Sequence, residues 1–162
     1  MNDIVKRALA SSGTPAILEP SGLCRRDGKR PDGLTLYPWS SGRSVVWDFT
    51  CRDTLASSHI AGTSQEAGRA AQQAESTKLS LYEELSQNYN VIPIATETLG
   101  SWGPLGLKFV REIGGRIAES TGEKRSRYYL FQAISMAIQR GNVSSILGTA
   151  QNGKKLEEIY YL

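Results

Sequence analysis

The stretch Ser44 to Cys51, Ser-Val-Val-Trp-Asp-Phe-Thr-Cys, limits the fold more than any other segment of the chain. Successive side chains of a strand point to opposite faces. Val45, Trp47, Phe49 and Cys51 therefore share one face, and Val46, Asp48 and Thr50 share the other. Asp48 lies beside Val46 on a face with the marks of a covered one. A carboxylate there is costly unless it is paired, hydrated or bound to a metal. Thr50 leaves the strand on the same side as Asp48, about 6.6 Å further along.

The elements around this strand fit the same layered plan. Ile4, Val5, Ala8 and Leu9 have helical spacing behind Asp3, a candidate N-cap, and Gly13 ends that helix. Pro15 to Glu19 reads as a short strand closed by Pro20. Asp32 to Tyr37 alternates as a second strand, with Asp32, Leu34 and Leu36 on one face and Gly33, Thr35 and Tyr37 on the other. Pro38 stops it, and Ser40-Ser41-Gly42 supplies a turn into the third. A long helix is expected from about Ser64 to Ser86. Val91 to Thr98 follows as a returning strand that Pro93 assigns to a sheet edge. The rest reads as helices: one marked by Leu105, Phe109, Ile113 and Ile117, another by Leu130, Ile134, Ala137 and Ile138, and a short third from Asn142 to Leu147. The expected class is α/β, a mixed central sheet flanked by helices on both faces with C-terminal helices. A chain of 162 residues suits one domain over 1–150, with 151–162 as a poorly specified tail. Its opening inside an amphipathic helix suggests a domain cut from a longer protein.

Several function classes are weakened at once. Two cysteines, Cys24 and Cys51, and the single His59 cannot supply a zinc site of the CxxC…CxxC type or a disulfide framework. The expected compartment is reducing and intracellular, nuclear or cytoplasmic. Any triad hydrolase would depend wholly on His59, which lies in a loop after Ser57-Ser58. No run reaches the ~18–20 apolar residues of a membrane span, and the N-terminus has no apolar signal core. The net charge of +3 permits a polyanionic partner without demanding one.

Three acids gather around the first three strands: Glu19 at the end of the first, Asp32 at the start of the second and Asp48 inside the third. Asp32 and Asp48 flank one turn, so hairpin geometry brings them together. The structural alternative has each acid capping a turn or pairing with the basic loop Arg25, Arg26, Lys29 and Arg30. In the long helix, Ala67, Ala71, Ala74, Leu81 and Leu85 form one stripe, and Lys78 occupies its missing step. Lys78 either snorkels to water over an apolar stem or sends its ammonium toward the acids. Carboxylates hold Mg²⁺ or Mn²⁺, such a cation activates water against a phosphodiester, and a lysine neutralises charge on phosphate oxygens. The basic loop and Lys124-Arg125-Ser126-Arg127 could grip a nucleic-acid backbone. Trp39, Trp47 and Trp102 read mainly as packing residues, with Trp102 the best placed to stack on an unpaired base. Glu97 is a candidate auxiliary ligand at the same sheet end.

These residues carry a resemblance. Lys29-Arg30-Pro31-Asp32, with fifteen residues between Asp32 and Asp48 in Trp47-Asp48-Phe49-Thr50, resembles the PD-(D/E)xK nuclease signature. More closely, it is similar to the restriction-endonuclease-like domain at the C-terminus of site-specific non-LTR retrotransposon reverse transcriptases. In that family a helix carrying a Lys-x-x-x-Tyr-type pattern follows, here Lys78 with Tyr82, and then a strand to a small-residue-Gly turn, here Val91 to Gly100. The resemblance spans residues 15–103. It implies a restriction-endonuclease-like fold and a metal-dependent DNA endonuclease. Asp32, Asp48 and Lys78 would be catalytic, and Asp32, Asp48, the Phe49 carbonyl and Glu19 would be metal ligands. The family's lysine two residues after the second acid is Thr50 here, and Lys78 on the helix is its expected substitute. The family's upstream glutamate is helical, whereas Glu19 is in a strand-like segment, and the family's cysteine/histidine knuckle has no counterpart. The implied partners are DNA and a fused or adjacent reverse transcriptase that uses the nick as primer. The alternatives are an inactive nuclease-derived binding module and a structural or interaction domain of a domesticated element.

Overall fold

The computed structural model describes residues 1–24 and 28–149; Arg25, Arg26 and the expected tail at 151–162 lie outside them. The described residues form a mixed α/β fold with one four-stranded sheet in the order β1-β2-β3-β4 and five helices. Helix α1 (Asn2–Ser11) leads into β1 (Ala16–Leu18), β2 (Gly33–Thr35) and β3 (Val45–Arg52), which pair antiparallel in turn. Helices α2 (Ile60–Thr63) and α3 (Arg69–Leu81) then carry the chain over the sheet to β4 (Asn90–Glu97), which runs parallel to β3. Helices α4 (Pro104–Thr121) and α5 (Ser126–Thr149) complete the described chain.

β3 is the spine of the molecule. Val45, Val46 and Trp47 are fully buried because both faces of this strand are covered. Val45 and Trp47, with Ile94 from β4, enter the main core against Leu9 of α1, Phe109 and Ile113 of α4, and Ile134 of α5. The opposite face carries Asp48 and Ala95, and it is covered by Ala71 and Ala74 of α3. β4 is an edge strand. Its Asn90 N–H donates to the Ser44 carbonyl, while its Ala95 carbonyl accepts from Gly103 outside the sheet. Odd-numbered β4 residues thus turn their backbone groups away from β3, so the missing N–H of Pro93 costs the ladder nothing.

Three details differ from the sequence reading, and a fourth, the buried face of β2, settles what the sequence left open. The long helix is broken: α3 begins only at Arg69, after Gly68 adopts φ 86°. A side chain at Gly68 would also meet the Trp102 carbonyl oxygen at 2.7 Å. Ala67 is accordingly exposed rather than part of the packed stripe, and the chain past Leu81 forms only a 3-10 turn at Leu85–Gln87. In β2 the buried positions are Gly33 and Thr35, not the leucine face. Gly33 lies flat on the Trp47 indole, where any Cβ would overlap the ring. The Thr35 hydroxyl accepts from Val45 N–H at 2.9 Å and donates to the Tyr37 carbonyl at 2.9 Å. Asp3 lies within the first turn of α1, and Met1 is the N-cap. Finally, Asn142 to Leu147 is not a separate helix but the last part of α5, which runs on through Gly141.

Candidate active site

The β2–β3 register pairs Gly33 with Trp47 and Leu34 with Val46. One step further, Asp32 stands opposite Asp48. β2 has ended there, so Phe49 N–H lacks a backbone partner and donates instead to Asp32 Oδ2 at 2.6 Å. This side-chain bond takes the place of the next rung and locks the Asp32 carboxyl against β3. In a strand, the N–H and C=O of one residue point the same way. The Phe49 carbonyl therefore also turns toward the Asp32 side of β3.

Asp48 is buried at 7% exposure on the face covered by α3. Lys78 Nζ lies 2.6 Å from Asp48 Oδ2, and the same oxygen accepts the Tyr82 hydroxyl at 2.7 Å. Lys78 and Tyr82 are one helical turn apart, in the last turn of α3 and at its C-cap, so both reach the same point on the sheet. Tyr82 is itself buried at 1% exposure. The Lys78 ammonium is thus turned toward the acids rather than into water. Only 14% of its side chain is exposed, which makes this a desolvated ion pair rather than a screened surface contact.

Burial raises the Asp32 carboxyl above the usual carboxylate range, because desolvation disfavours its charged form. The neighbouring Asp48 charge and an Asp48 side-chain hydrogen bond push the same way, against the Phe49 N–H and Lys78, which favour ionisation. The two carboxyls are therefore close neighbours that repel each other when both are ionised. Such a donor set suits a hard divalent cation, whose charge would relieve that repulsion; Mg²⁺ needs only one or two carboxylates and fills its remaining positions with water and phosphate. Among the described residues, no group of three or more His, Cys, Asp or Glu side chains gathers as a metal cluster.

The other sequence candidates divide by position. Glu19 N–H donates to the Asp32 carbonyl at 3.0 Å, which puts its backbone beside the site. Its φ of 46° has left the strand conformation, and its side chain is exposed. Lys29 and Arg30 are exposed in the approach to Asp32, while Arg25 and Arg26 fall outside the described residues. Thr50 is half-buried on β3. Glu97 is not part of the cluster: it lies opposite Arg52, four residues past the Asp48–Pro93 step of the ladder, about 13 Å along the strand. There Oε1 accepts from Ala70 and Ala71 N–H at 2.9 and 3.4 Å, capping the start of α3. Trp102 packs edge-to-face on Phe131, with centroids 5.4 Å apart, so its ring serves the core. His59 is the N-cap residue of α2. Arg125 pairs with Glu123 at 3.4 Å.

Two residues in these networks had no functional role in the sequence reading. Tyr82 was visible only through its four-residue spacing from Lys78. Glu75, buried at 1% exposure, accepts from Leu105 and Gly106 N–H at 3.0 and 2.8 Å and so caps the start of α4. Its place one step from the Ala74 stripe was the only hint of that burial. No protein-family model matches this chain, and no curated protein does either.

Proposed function

We propose that this protein is a metal-dependent DNA endonuclease with its centre at Asp32, Asp48 and Lys78. What supports the reading above all is the Lys78 ammonium 2.6 Å from a carboxylate that neighbours a second one, with the lysine delivered by a helix and not by the strand position that Thr50 fills. Asp32, Asp48 and the Phe49 carbonyl would hold Mg²⁺ or Mn²⁺, and the exposed Glu19 serves only as an accessory donor. When bound, the cation lowers the pKa of a water and polarises the phosphodiester. Asp48 is oriented for this role by the Tyr82 hydroxyl, and Asp32 by the Phe49 N–H. Lys78 neutralises charge on the phosphate oxygens as the bond to the leaving oxygen breaks. Lys29 and Arg30, with Arg25 and Arg26, bind the DNA backbone and carry no sequence information. A fused or adjacent reverse transcriptase would use the nick as its primer.

Supercoiled plasmid reports this activity directly. The wild type is expected to nick it with Mg²⁺ or Mn²⁺ and not in EDTA, and Asp48→Ala is expected to lose at least ~100-fold. Equal rates in the two proteins would remove the reading. Thr50 at the usual lysine position favours a second reading, a nuclease-derived binding module without catalysis. Such a module holds DNA equally well in EDTA and gains no thermal stability from added metal.

A further inference from the structure

β4 leaves part of the sheet edge open. Its even-numbered residues bond to β3, so the Val91 N–H and C=O point outward in the plane of the sheet. Neither group has a hydrogen-bond partner among the described residues. Further along the same edge, Pro93 has no N–H, and the Ala95 carbonyl is taken by Gly103 N–H. The open stretch therefore offers a single donor with an acceptor beside it on the same residue. That is too little to pair with an added strand.

A cavity of about 390 Å³ opens on this edge, between β4 and α4. That volume suits a small ligand. Ile92, Leu105 and Phe109 supply its apolar wall, where Leu105 stays 37% exposed. Trp39 also lines it, buried and already packed: Phe109 meets its ring edge-to-face with centroids 5.3 Å apart, and the Arg116 guanidinium lies 3.4 Å from its ring centroid. Arg43 and Lys108 bring positive charge to the lining. Asn90 Nδ2 donates to the Ser40 and Arg43 carbonyls at 3.0 and 3.2 Å, which ties the turn carrying Arg43 to β4. One carboxylate, Glu112, shares the lining and accepts from the Trp39 indole N–H at 3.3 Å. Two cations against one acid leave the cavity net positive, and neither cation has an ion-pair partner among the described residues.

We propose that this cavity binds an unpaired nucleotide, with its base against Val91 and its phosphate at Arg43 and Lys108. An extended residue presents its N–H and C=O side by side. The Watson–Crick edge of a base presents the complementary pair, an acceptor beside a donor. Val91 reaches that edge only when no second strand occupies it, so the site selects unpaired nucleotides. The apolar wall receives the flat faces of the base, and the two cations bind the phosphate by charge-assisted hydrogen bonds. A purely apolar ligand would leave Val91 and both cations unanswered. A free mononucleotide and a nucleotide within a single strand share this chemistry. The site has no residue in common with the acid cluster. Val91 stands opposite Val46, two residues before Asp48, and its backbone opens on the side of β4 away from β3.

Equilibrium dialysis of the full chain against deoxyadenosine monophosphate, in EDTA, tests this apart from any cleavage. A Kd on the order of 0.1 mM is expected. Arg43→Gln and Lys108→Gln should each weaken binding about 5-fold or more, with an unchanged circular dichroism spectrum because both positions are exposed. The N6,N6-dimethyl analogue, which has lost its donor, should bind at least ~10-fold more weakly. Displacement of the bound mononucleotide separates the two sources. Displacement by single-stranded oligodeoxyadenylate assigns the site to a strand, and failure of that oligomer to compete assigns it to the free nucleotide; either result supports the site. The same oligomer in a duplex should not compete, because its Watson–Crick edges are taken. No binding at about 5 mM mononucleotide overturns the proposal. So does binding indifferent to both substitutions, an equally tight dimethyl analogue, or displacement by a duplex as effective as by mononucleotide.

Discussion

Asp48 is the residue on which the site turns, and its chemistry comes from where β3 places it. A carboxylate on a covered strand face needs compensation, and one of its oxygens receives both the Lys78 ammonium and the Tyr82 hydroxyl. Asp32 is compensated less, by one backbone N–H, and burial together with Asp48 raises its pKa. A carboxyl whose folded pKa is raised binds its proton better in the folded state than in the unfolded one. Stability is therefore lost as pH rises from the ordinary carboxylate range through the raised folded value. Asp32→Asn keeps an acceptor for Phe49 N–H and removes that loss. Thermal melts without metal should coincide for the two proteins at low pH. The variant should melt a few degrees higher near neutrality. A variant less stable at neutral pH would show that the Asp32 charge is fully compensated.

The expected elements formed where their periodicity matched their packing. β3 was legible because its alternation coincides with a strand buried on both faces. Lys78 was legible because its gap in the alanine stripe faces the sheet. The break ahead of α3 was not, because Ala67 continues the helical period while Gly68, beside it, is needed in a left-handed conformation. The alternation of β2 did not say which of its faces is buried. Hydrophobicity points to Leu34, but the bulk of Trp47 admits only Gly33 beneath it. The polar caps that Glu75 and Glu97 provide are long-range bonds to helix starts that carry no local signal. Gly68→Ala tests the start of α3: positive φ and the nearby Trp102 carbonyl together should cost at least ~2 kcal/mol in denaturant unfolding. An effect below ~0.5 kcal/mol would show that the turn adapts. Because α3 carries Lys78 and Tyr82, any tilt of the helix would also disturb Asp48.

At the scale of the whole molecule, the sheet divides the labour. The face toward α1, α4 and α5 holds the apolar core, and the face toward α3 holds the charged cluster. The α/β class and the nearness of Asp32 to Asp48 could be anticipated from strand periodicity, whereas helix periodicity placed Lys78 toward the sheet and left open whether its ammonium meets the acids or water. No helix among the described residues is long and apolar enough to cross a membrane. The continuity of α5 through Gly141 could not be anticipated, since a glycine after a charged residue reads locally as a stop. In the proposed mechanism the Lys78 ammonium acts on the phosphate, and does not merely neutralise Asp48. The single-turnover nicking rate of Lys78→Met, with Mg²⁺ and DNA both saturating, tests it most directly, because methionine keeps much of the apolar stem and removes the charge. A loss of about 10²- to 10³-fold is predicted, with DNA affinity nearly unchanged and a folded circular dichroism spectrum, while the melting temperature falls because Asp48 loses its buried counter-charge. A rate within about twofold of the wild type would contradict it.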